Sequence, residues 1–398
     1  MNALLVAGGV YRERCVWPEW RRTFGSAGRA AIAVAPWFDV SEVLSPAPEE
    51  VLAEYREEAV LDGVKVRPAD VPTPAPAIRF EYVHGLAAPV IVPTPATLPP
   101  PVAFDARGPL VIRFGMLEAT ARVVADTCVY DPQSAFAPEP FAANGSGARR
   151  LAIVGNRGEV ATLGRDRDPV RAARNLLADG AEVVVVKAGA AGASVVTSGL
   201  QTIPARLTAN VWPIGSGDVF AAAFTAAWAV DGLAPADAAD FASYAVAGYV
   251  ESMSLPVSTG LRNGFPDRAA VAATEAKVYL AGPFFSMAQR WLVDEARRAL
   301  AELGMQVFSP LHEIGRGAAH EVAPADLRAL RECDAVFALL DGLDSGTLFE
   351  VGYARALDLP VYGFAQVTPE DDLKMVAGSG CKVFSDFVTG LHHCAWGA

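Results

Sequence analysis

Short runs that are apolar on both faces recur along the chain: "ALLVAGG" at 3–9, "LAIVGN" at 151–156, "EVVVVKAG" at 182–189, "KVYLAG" at 277–282, "DAVFALL" at 334–340 and "PVYGF" at 360–364. Such runs predict strands of a parallel sheet covered by helices, since a half-solvated strand would alternate instead. Between them lie stretches with apolar residues at i, i+3 and i+4. One is "MAQRWLVDEARRALAELG", a helix expected to end at Gly304. Alternating β and α predicts a doubly wound α/β architecture.

Two stretches break the pattern. From Val66 to Pro101 prolines repeat ("RPADVPTPAPAI", "VPTPATLPPP"), which reads as a stiff loop or an irregular lid edge. At 252–276 Gly, Pro and Ser separate an Ala-rich helical region from the fresh strand at Lys277. At 398 residues the chain is too long for one ordinary core of ~100–200 residues. The boundaries expected are a first domain over 1–266, a linker over 267–276 and a second domain over 277–398.

Composition narrows the partners. With 52% hydrophobic and 20% charged residues the chain can bury large apolar faces. A net charge of -12 argues against a broad nucleic-acid surface, so a small molecule is the expected partner. Five scattered cysteines, with no CxxC pair, read as reduced thiols in a cytoplasm. The first residues have no basic n-region, and no apolar run reaches the ~18 residues of a membrane span. The histidines, among them His312, His320 and the His392-His393 pair, show no metal-ligand spacing and are expected on the surface or in loops.

The stretch "DGLDSGTLFEVGYARA", 341–356, carries the first candidate chemistry. Thr347 and Glu350 fit a T-x-x-E capping box. The turn also follows "DAVFALL", which sets Asp344 and Glu350 at the carboxyl end of a parallel strand, where open sheets bind ligands, and leaves Asp341 as a turn or strand-end residue. A glutamate in a first turn would be held ionised by the helix dipole and would suit a nucleophile. Attack on an anomeric carbon needs that nucleophile and a second carboxyl group for the leaving base; Asp344 and Asp326 are candidates. More ordinary readings are a helix-start acid after Pro324 for Asp326, an Asx turn for Asp344 and a half-buried strand aromatic for Tyr279.

Taken in order, "KVYLAGPFF", "ARRALAELG", "VFSP", "PADLRALRECDAVFALLD" and "DSGTLFEVGYARALDLPV" resemble the nucleoside 2-deoxyribosyltransferases and their nucleotide-hydrolysing relatives. The resemblance implies a flavodoxin- or Rossmann-like domain in which Glu350 becomes glycosylated, Asp344 and Asp326 hold or protonate base and sugar, and Tyr279 orients the nucleophile. Gly282, Phe284, Ser286, Arg290 and Gly346 would bind substrate, with Ser286 and Arg290 either on a 5′-phosphate or as ordinary first-turn residues. It also implies a homo-oligomer with shared active sites, although "DDLKMVAGSGCKVF" offers no counterpart of the asparagine lent to a neighbour.

"WPIGSGDVFAAAFTAAWAV", 212–230, places Gly215 and Gly217 before a long helix, with Asp218 able to take a proton from a hydroxyl. A buried cap with close packing is the plainer reading. Together with "GSAGRAA" at 25–31, "YDPQ" at 130–133, "VGNRGEV" at 154–160 and "VVVKAGAAGASV" at 184–195, the motif resembles the ribokinase-like, or pfkB, sugar kinases over about residues 1–260. The resemblance implies a three-layer α/β kinase domain using ATP and Mg²⁺. Gly215, Ser216 and Gly217 would form an anion hole and Asp218 the base. Asn156 and Glu159 would attend Mg²⁺ and phosphate, Gly189 and Gly192 the nucleotide, and Gly25 and Gly28 the sugar. The chain departs from that pattern in having Trp212-Pro213 where Asp-Thr is usual, and the 66–101 region predicts a poor four-stranded lid. The expected function is bifunctional nucleoside or nucleotide salvage. The alternative is a first domain that senses a nucleotide or sugar without chemistry.

Overall fold

The computed structural model describes residues 2–72, 75–134, 137–273, 275–315 and 317–397, which divide into two compact units, Met1–Ala270 and Val271–Ala398. Residue 274, in the expected linker, and residues 73–74, in the proline-rich stretch, lie outside the described residues.

Unit 1 is built on a nine-stranded sheet. From edge to edge the strands are Leu200–Ile203, Ala193–Val196, Val183–Lys187, Gly147–Asn156, Ala119–Asp131, Val102–Phe114, Ala3–Ala7, Val40–Ser45 and Lys65–Pro68. Ala193–Val196 pairs antiparallel with both of its neighbours, and the remaining pairs are parallel. Strands such as Val183–Lys187 are buried on both sides because each face carries helices. Gly25–Val34, Glu49–Ala59, Ser216–Thr225 and Pro235–Ser252 cover one face. Arg157–Leu163 and Pro169–Ala178 cover the other, giving three layers.

A separate four-stranded sheet runs Trp20–Thr23, Arg12–Cys15, Arg79–Tyr82, Val90–Val92. This corrects the expectation of a poor lid. Only half of that sheet comes from the proline-rich stretch; the other half is the hairpin at 12–23, whose alternating "RERC" and "WRRT" are too short and charged to announce themselves as strands.

Unit 2 is an all-parallel sheet ordered Gln306–Phe308, Lys277–Ala281, Ala335–Leu339, Val361–Phe364, Lys382–Phe384. The chain starts at Lys277–Ala281 and reverses direction across the sheet beside it, so the crevice between this strand and Ala335–Leu339 opens at their carboxyl ends. Helices Ala319–Arg331 and Ser345–Ala356 pack on the face that carries Tyr279. Met287–Glu302 ends as its sequence predicts: Gly304 takes φ +99° and the Met305 N–H closes on the Leu300 carbonyl.

All five cysteines are buried thiols, and no helix among the described residues is long and apolar enough to cross a membrane. The histidines do not all lie outside: His84 and His392 are buried, and burial pushes His392 down to about 4.

Candidate active sites

In unit 2 the helix Ser345–Ala356 starts one residue after Asp344, which is its N-cap. The Asp344 Oδ2 accepts from the Thr347 N–H at 2.9 Å and the Thr347 hydroxyl at 3.0 Å. The T-x-x-E box is therefore not formed, and Glu350 lies in the second turn, beyond the reach of the helix's positive end. Its carboxylate instead crosses to the sheet, where the Tyr279 hydroxyl donates to Oε1 at 2.6 Å.

Charge on Glu350 is not favoured here, contrary to the dipole argument. Burial pushes its carboxyl up to about 7, the Tyr279 hydrogen bond pulls it back, and Asp326 and Asp344 push it further up. Asp326 is mid-helix in Ala319–Arg331, with Pro324 inside the same helix, so it is not a helix-start acid. Its Oδ1 is buried without a hydrogen-bond partner, and burial raises its carboxyl as well. Tyr279 is fully buried, stacked on Phe308 at 5.6 Å, and raised far above the usual phenol range by burial and Glu350. The structure thus joins Tyr279, Glu350 and Asp326, with Asp344 close enough to act on Glu350 while one of its oxygens caps the helix.

The predicted substrate-binding residues sit at the same carboxyl edge. Ser286 and Gln289 form a capping box at the start of Met287–Glu302, and the Arg290 Nε donates to the Phe284 carbonyl at 2.9 Å, so in this state both act as first-turn residues. Phe284 stacks on Phe285. Gly282 lies tight against Leu339, and Gly346 against the Asp344 carboxylate. Pro283, Gln289, Leu292, Leu339, Asp341 and Phe364 line a pocket there. Asp341 itself is structural: it accepts from the amides of Gln366, Val367 and Thr368 at 2.9–3.0 Å.

In unit 1 the strands Ala119–Asp131, Gly147–Asn156 and Val183–Lys187 end beside the start of Ser216–Thr225. Gly215 enters that helix at φ +79°, and the Ser216 N–H closes on the Pro213 carbonyl. Asp218 is buried with both oxygens taken: Arg29 Nη1 donates to Oδ2 at 2.6 Å and Gln133 Nε2 to Oδ1 at 2.5 Å. The other arm of Arg29 pairs with Glu13, whose carboxyl burial pushes up to about 7. Lys187 pairs with Asp131, which burial likewise pushes up to about 7 and whose Oδ1 has no partner. A Cβ built on Gly217 would lie 3.3 Å from the Lys187 Nζ.

Asn156 and Glu159 form a reciprocal capping box on Arg157–Leu163, at 2.8 and 2.9 Å. Gly189 and Gly192 take positive φ in the loop after Val183–Lys187. Gly25, at φ +60°, starts the helix that carries Arg29, and Gly28 packs against Tyr55. Trp212 is buried against Trp20, so the departure from Asp-Thr is a packing residue.

Sequence reasoning missed Arg29, Glu13, Gln133, Lys187 and Asp131. All but Glu13 lie inside the motifs quoted above, at positions to which the resemblance gives no role. Nothing in "RERC" marks Glu13 as the partner of a residue 16 positions on.

Residues 151–255 match the model of the pfkB family of carbohydrate kinases, and residues 278–381 match that of nucleoside 2-deoxyribosyltransferase. The first stretch lies in unit 1 and is similar to the pfkB carbohydrate kinases, and the second lies in unit 2 and is similar to the nucleoside 2-deoxyribosyltransferases. No curated protein sequence matches it. Among solved structures, a fructokinase from Vibrio cholerae O395 bound to fructose, ADP and calcium is 13% identical, covering 67% of this chain and 99% of its own, with a TM-score of 0.49. Ribokinase from Thermotoga maritima is 16% identical over 67% and 96%, TM-score 0.45. A pyrophosphate-dependent kinase of the ribokinase family in complex with sulfate is 15% identical over 64% and 97%, TM-score 0.47.

Proposed function

We propose that unit 2 cleaves or transfers at the N-glycosidic bond of a nucleoside, deoxynucleoside or 5′-monophosphate through a covalent Glu350 intermediate. The observation that carries this is the buried Tyr279–Glu350 hydrogen bond with the unpartnered Asp326 oxygen beside it. A glutamate serving only to cap its helix would spend its oxygens on local amides. In the reaction a Glu350 oxygen bonds to C1′ while the C1′–N bond breaks, its electron pair leaving with the base. The Tyr279 O–H steadies the carboxylate until it attacks. Asp326, held toward its protonated form by burial, can give the base its proton. Water or a second base then attacks C1′, the C1′–O bond to Glu350 breaks with its electron pair returning to the carboxylate, and the nucleophile's proton passes to Asp326.

Tyr279→Phe tests the pairing. Removing a donor to the ionised form, a bond of about 1.5–3 kcal/mol, raises the Glu350 carboxyl further above about 7. The acid limb of the kcat/KM profile for base release should move about one unit or more to higher pH, and activity at pH 7 should fall roughly tenfold. An unmoved limb would show that the tyrosine only packs.

For unit 1 the proposal is phosphoryl transfer from ATP to a sugar or nucleoside hydroxyl, with Asp218 as base. The start of Ser216–Thr225 with Lys187 beside Gly217 fits a donor phosphate. Mg²⁺ at such a site is ordinarily held by one or two carboxylates together with the donor's own phosphates; Glu159 is spent on its capping box, and no step is assigned to the ion. A second reading, a sensor that binds without transfer, is favoured by the occupied oxygens of Asp218. ADP formation from ATP across a panel of nucleosides and pentoses separates the two. Products with and without ATP, identified by mass, test both units together. The five buried thiols favour a cytoplasmic setting. Exposed Phe285, Met287 and Trp291 favour an assembly of several copies.

A further inference from the structure

Both oxygens of Asp218 are taken, yet the two partners are held very differently. Arg29, on Oδ2, is 1% exposed, and its other arm is pinned to Glu13. Gln133, whose Nε2 donates to Oδ1 at 2.5 Å, is only half-buried, and its Oε1 accepts from the hydroxyl of Ser26, half-buried as well. The backbone beneath Gln133 is fixed. The Gly115 N–H donates to the Asp131 carbonyl at 2.8 Å, and a Cβ on Gly115 would lie 1.7 Å from the Pro132 carbonyl oxygen. On that turn Gln133 takes φ +42°, a left-handed conformation that disfavours any residue with a side chain and persists only where the surroundings impose it. The side chain can therefore swing while the turn stays put.

An acceptor hydroxyl has to donate to Asp218 before the base can take its proton. Replacing Arg29 would leave a buried guanidinium short of a partner, a loss that costs more than a neutral hydrogen bond returns. Replacing Gln133 exchanges like for like: a neutral O–H takes the place of a neutral N–H on Oδ1, and the released amide finds its hydrogen bonds in water. We infer that the Gln133 amide is a removable plug on Asp218, one that caps Oδ1 until an acceptor hydroxyl displaces it. The inference deepens the phosphoryl-transfer reading above and rests on it for the chemistry. Once Gln133 has swung out, the acceptor oxygen bonds to the terminal phosphorus of a nucleoside triphosphate, the bridging P–O bond breaks with its electron pair leaving on the diphosphate, and the hydroxyl proton passes to Oδ1 of Asp218. Ser26, by holding the far end of the amide, sets how readily the plug leaves.

A plug competes with the acceptor, whereas an arm that merely positions the base serves it, so one substitution separates the two by sign. Adenosine and ribose are the probes, each tested on the full chain with ATP. In Gln133→Ala the KM of whichever probe supports ADP formation should fall about 5- to 10-fold, as expected for one competing hydrogen bond, with the KM for ATP unchanged. Ser26→Ala should act in the same direction and less. An acceptor KM that stays or rises overturns the inference, as does a kcat lowered tenfold or more at the same KM. Calorimetric titration with the same probes in the absence of ATP keeps the two claims apart. Tighter binding to Gln133→Ala than to the unsubstituted chain, with no ADP from either, upholds the plug and sinks phosphoryl transfer. ADP formed by both chains at one acceptor KM upholds transfer and sinks the plug, and no binding to either chain sinks both.

Discussion

Glu350→Gln should abolish base release, on the order of a thousandfold or more, and at the same time raise the melting temperature of unit 2 at pH 8. The two effects have one cause. Glutamine keeps the shape and can still accept from the Tyr279 hydroxyl, but it cannot bond to C1′. The stability gain follows from the Glu350 carboxyl, which burial lifts from 4.5 to about 7. Below pH 4.5 the group is protonated whether the chain is folded or not, and its burial carries no ionic penalty. Between 4.5 and about 7 the unfolded chain loses its proton first, and the penalty grows. Above 7 the folded state must also hold the charge, at a cost of about 3 kcal/mol. Glutamine removes that cost, so the variant should gain stability at pH 8 and not at pH 4. Calorimetric melting at the two pH values, with base release measured by mass, checks both. A variant less stable at pH 8 would mean that the glutamate is a structural anchor, and base release without it would end the covalent proposal.

Much of unit 2 was legible in the sequence because its signals are local. The doubly apolar strands, the Gly304 stop and the Asp344–Glu350 stretch each depend on residues near in sequence, and parallel strands place helix starts at one sheet edge by topology alone. What failed was the register of one helix. Asp344 and Thr347 both make good caps, and choosing Thr347 put Glu350 in the first turn with its charge favoured, whereas choosing Asp344 carries it one turn on into a buried setting where charge is costly. A shift of three residues in the cap reverses the sign of the argument.

Unit 1 was legible in its glycines and acids and opaque in its pairing. Arg29 meets Asp218 across 189 positions and Lys187 meets Asp131 across 56. No periodicity or motif spacing reports such contacts, because they are decided by which strands and helices end at one edge. A second reason is chemical. Arginine and lysine in a motif are read as solvated by default, yet here Arg29 is buried and Lys187 partly so, each held by a carboxylate that burial has pushed up to about 7. The prolines of 66–101 misled as well: most lie in the segments that enter the four-stranded sheet before Arg79–Tyr82 and leave it after Val90–Val92, while the strands themselves are too short to stand out.

Two glycines with the same backbone hand give the sharpest test of the unit 1 site. Gly189, at φ +55°, has nothing within 4 Å of a built Cβ, so Gly189→Ala should lose only the left-handed penalty of about 1–2 kcal/mol. Gly215, at φ +79°, carries the same penalty, but its Cβ would lie 2.1–2.4 Å from the Nε, Cδ and Cζ of Arg29. Arg29 cannot step aside cheaply, because its two arms are pinned to Asp218 and Glu13 in a buried setting, and breaking such a pair costs about 3–5 kcal/mol. Gly215→Ala should therefore destabilise unit 1 by roughly 4 kcal/mol or more, and should abolish any ADP formation. Base release through Glu350, whose residues all lie in unit 2, should persist. Melting should show the unit 1 transition shifted far more in Gly215→Ala than in Gly189→Ala. Equal shifts would mean that Arg29 is free to move.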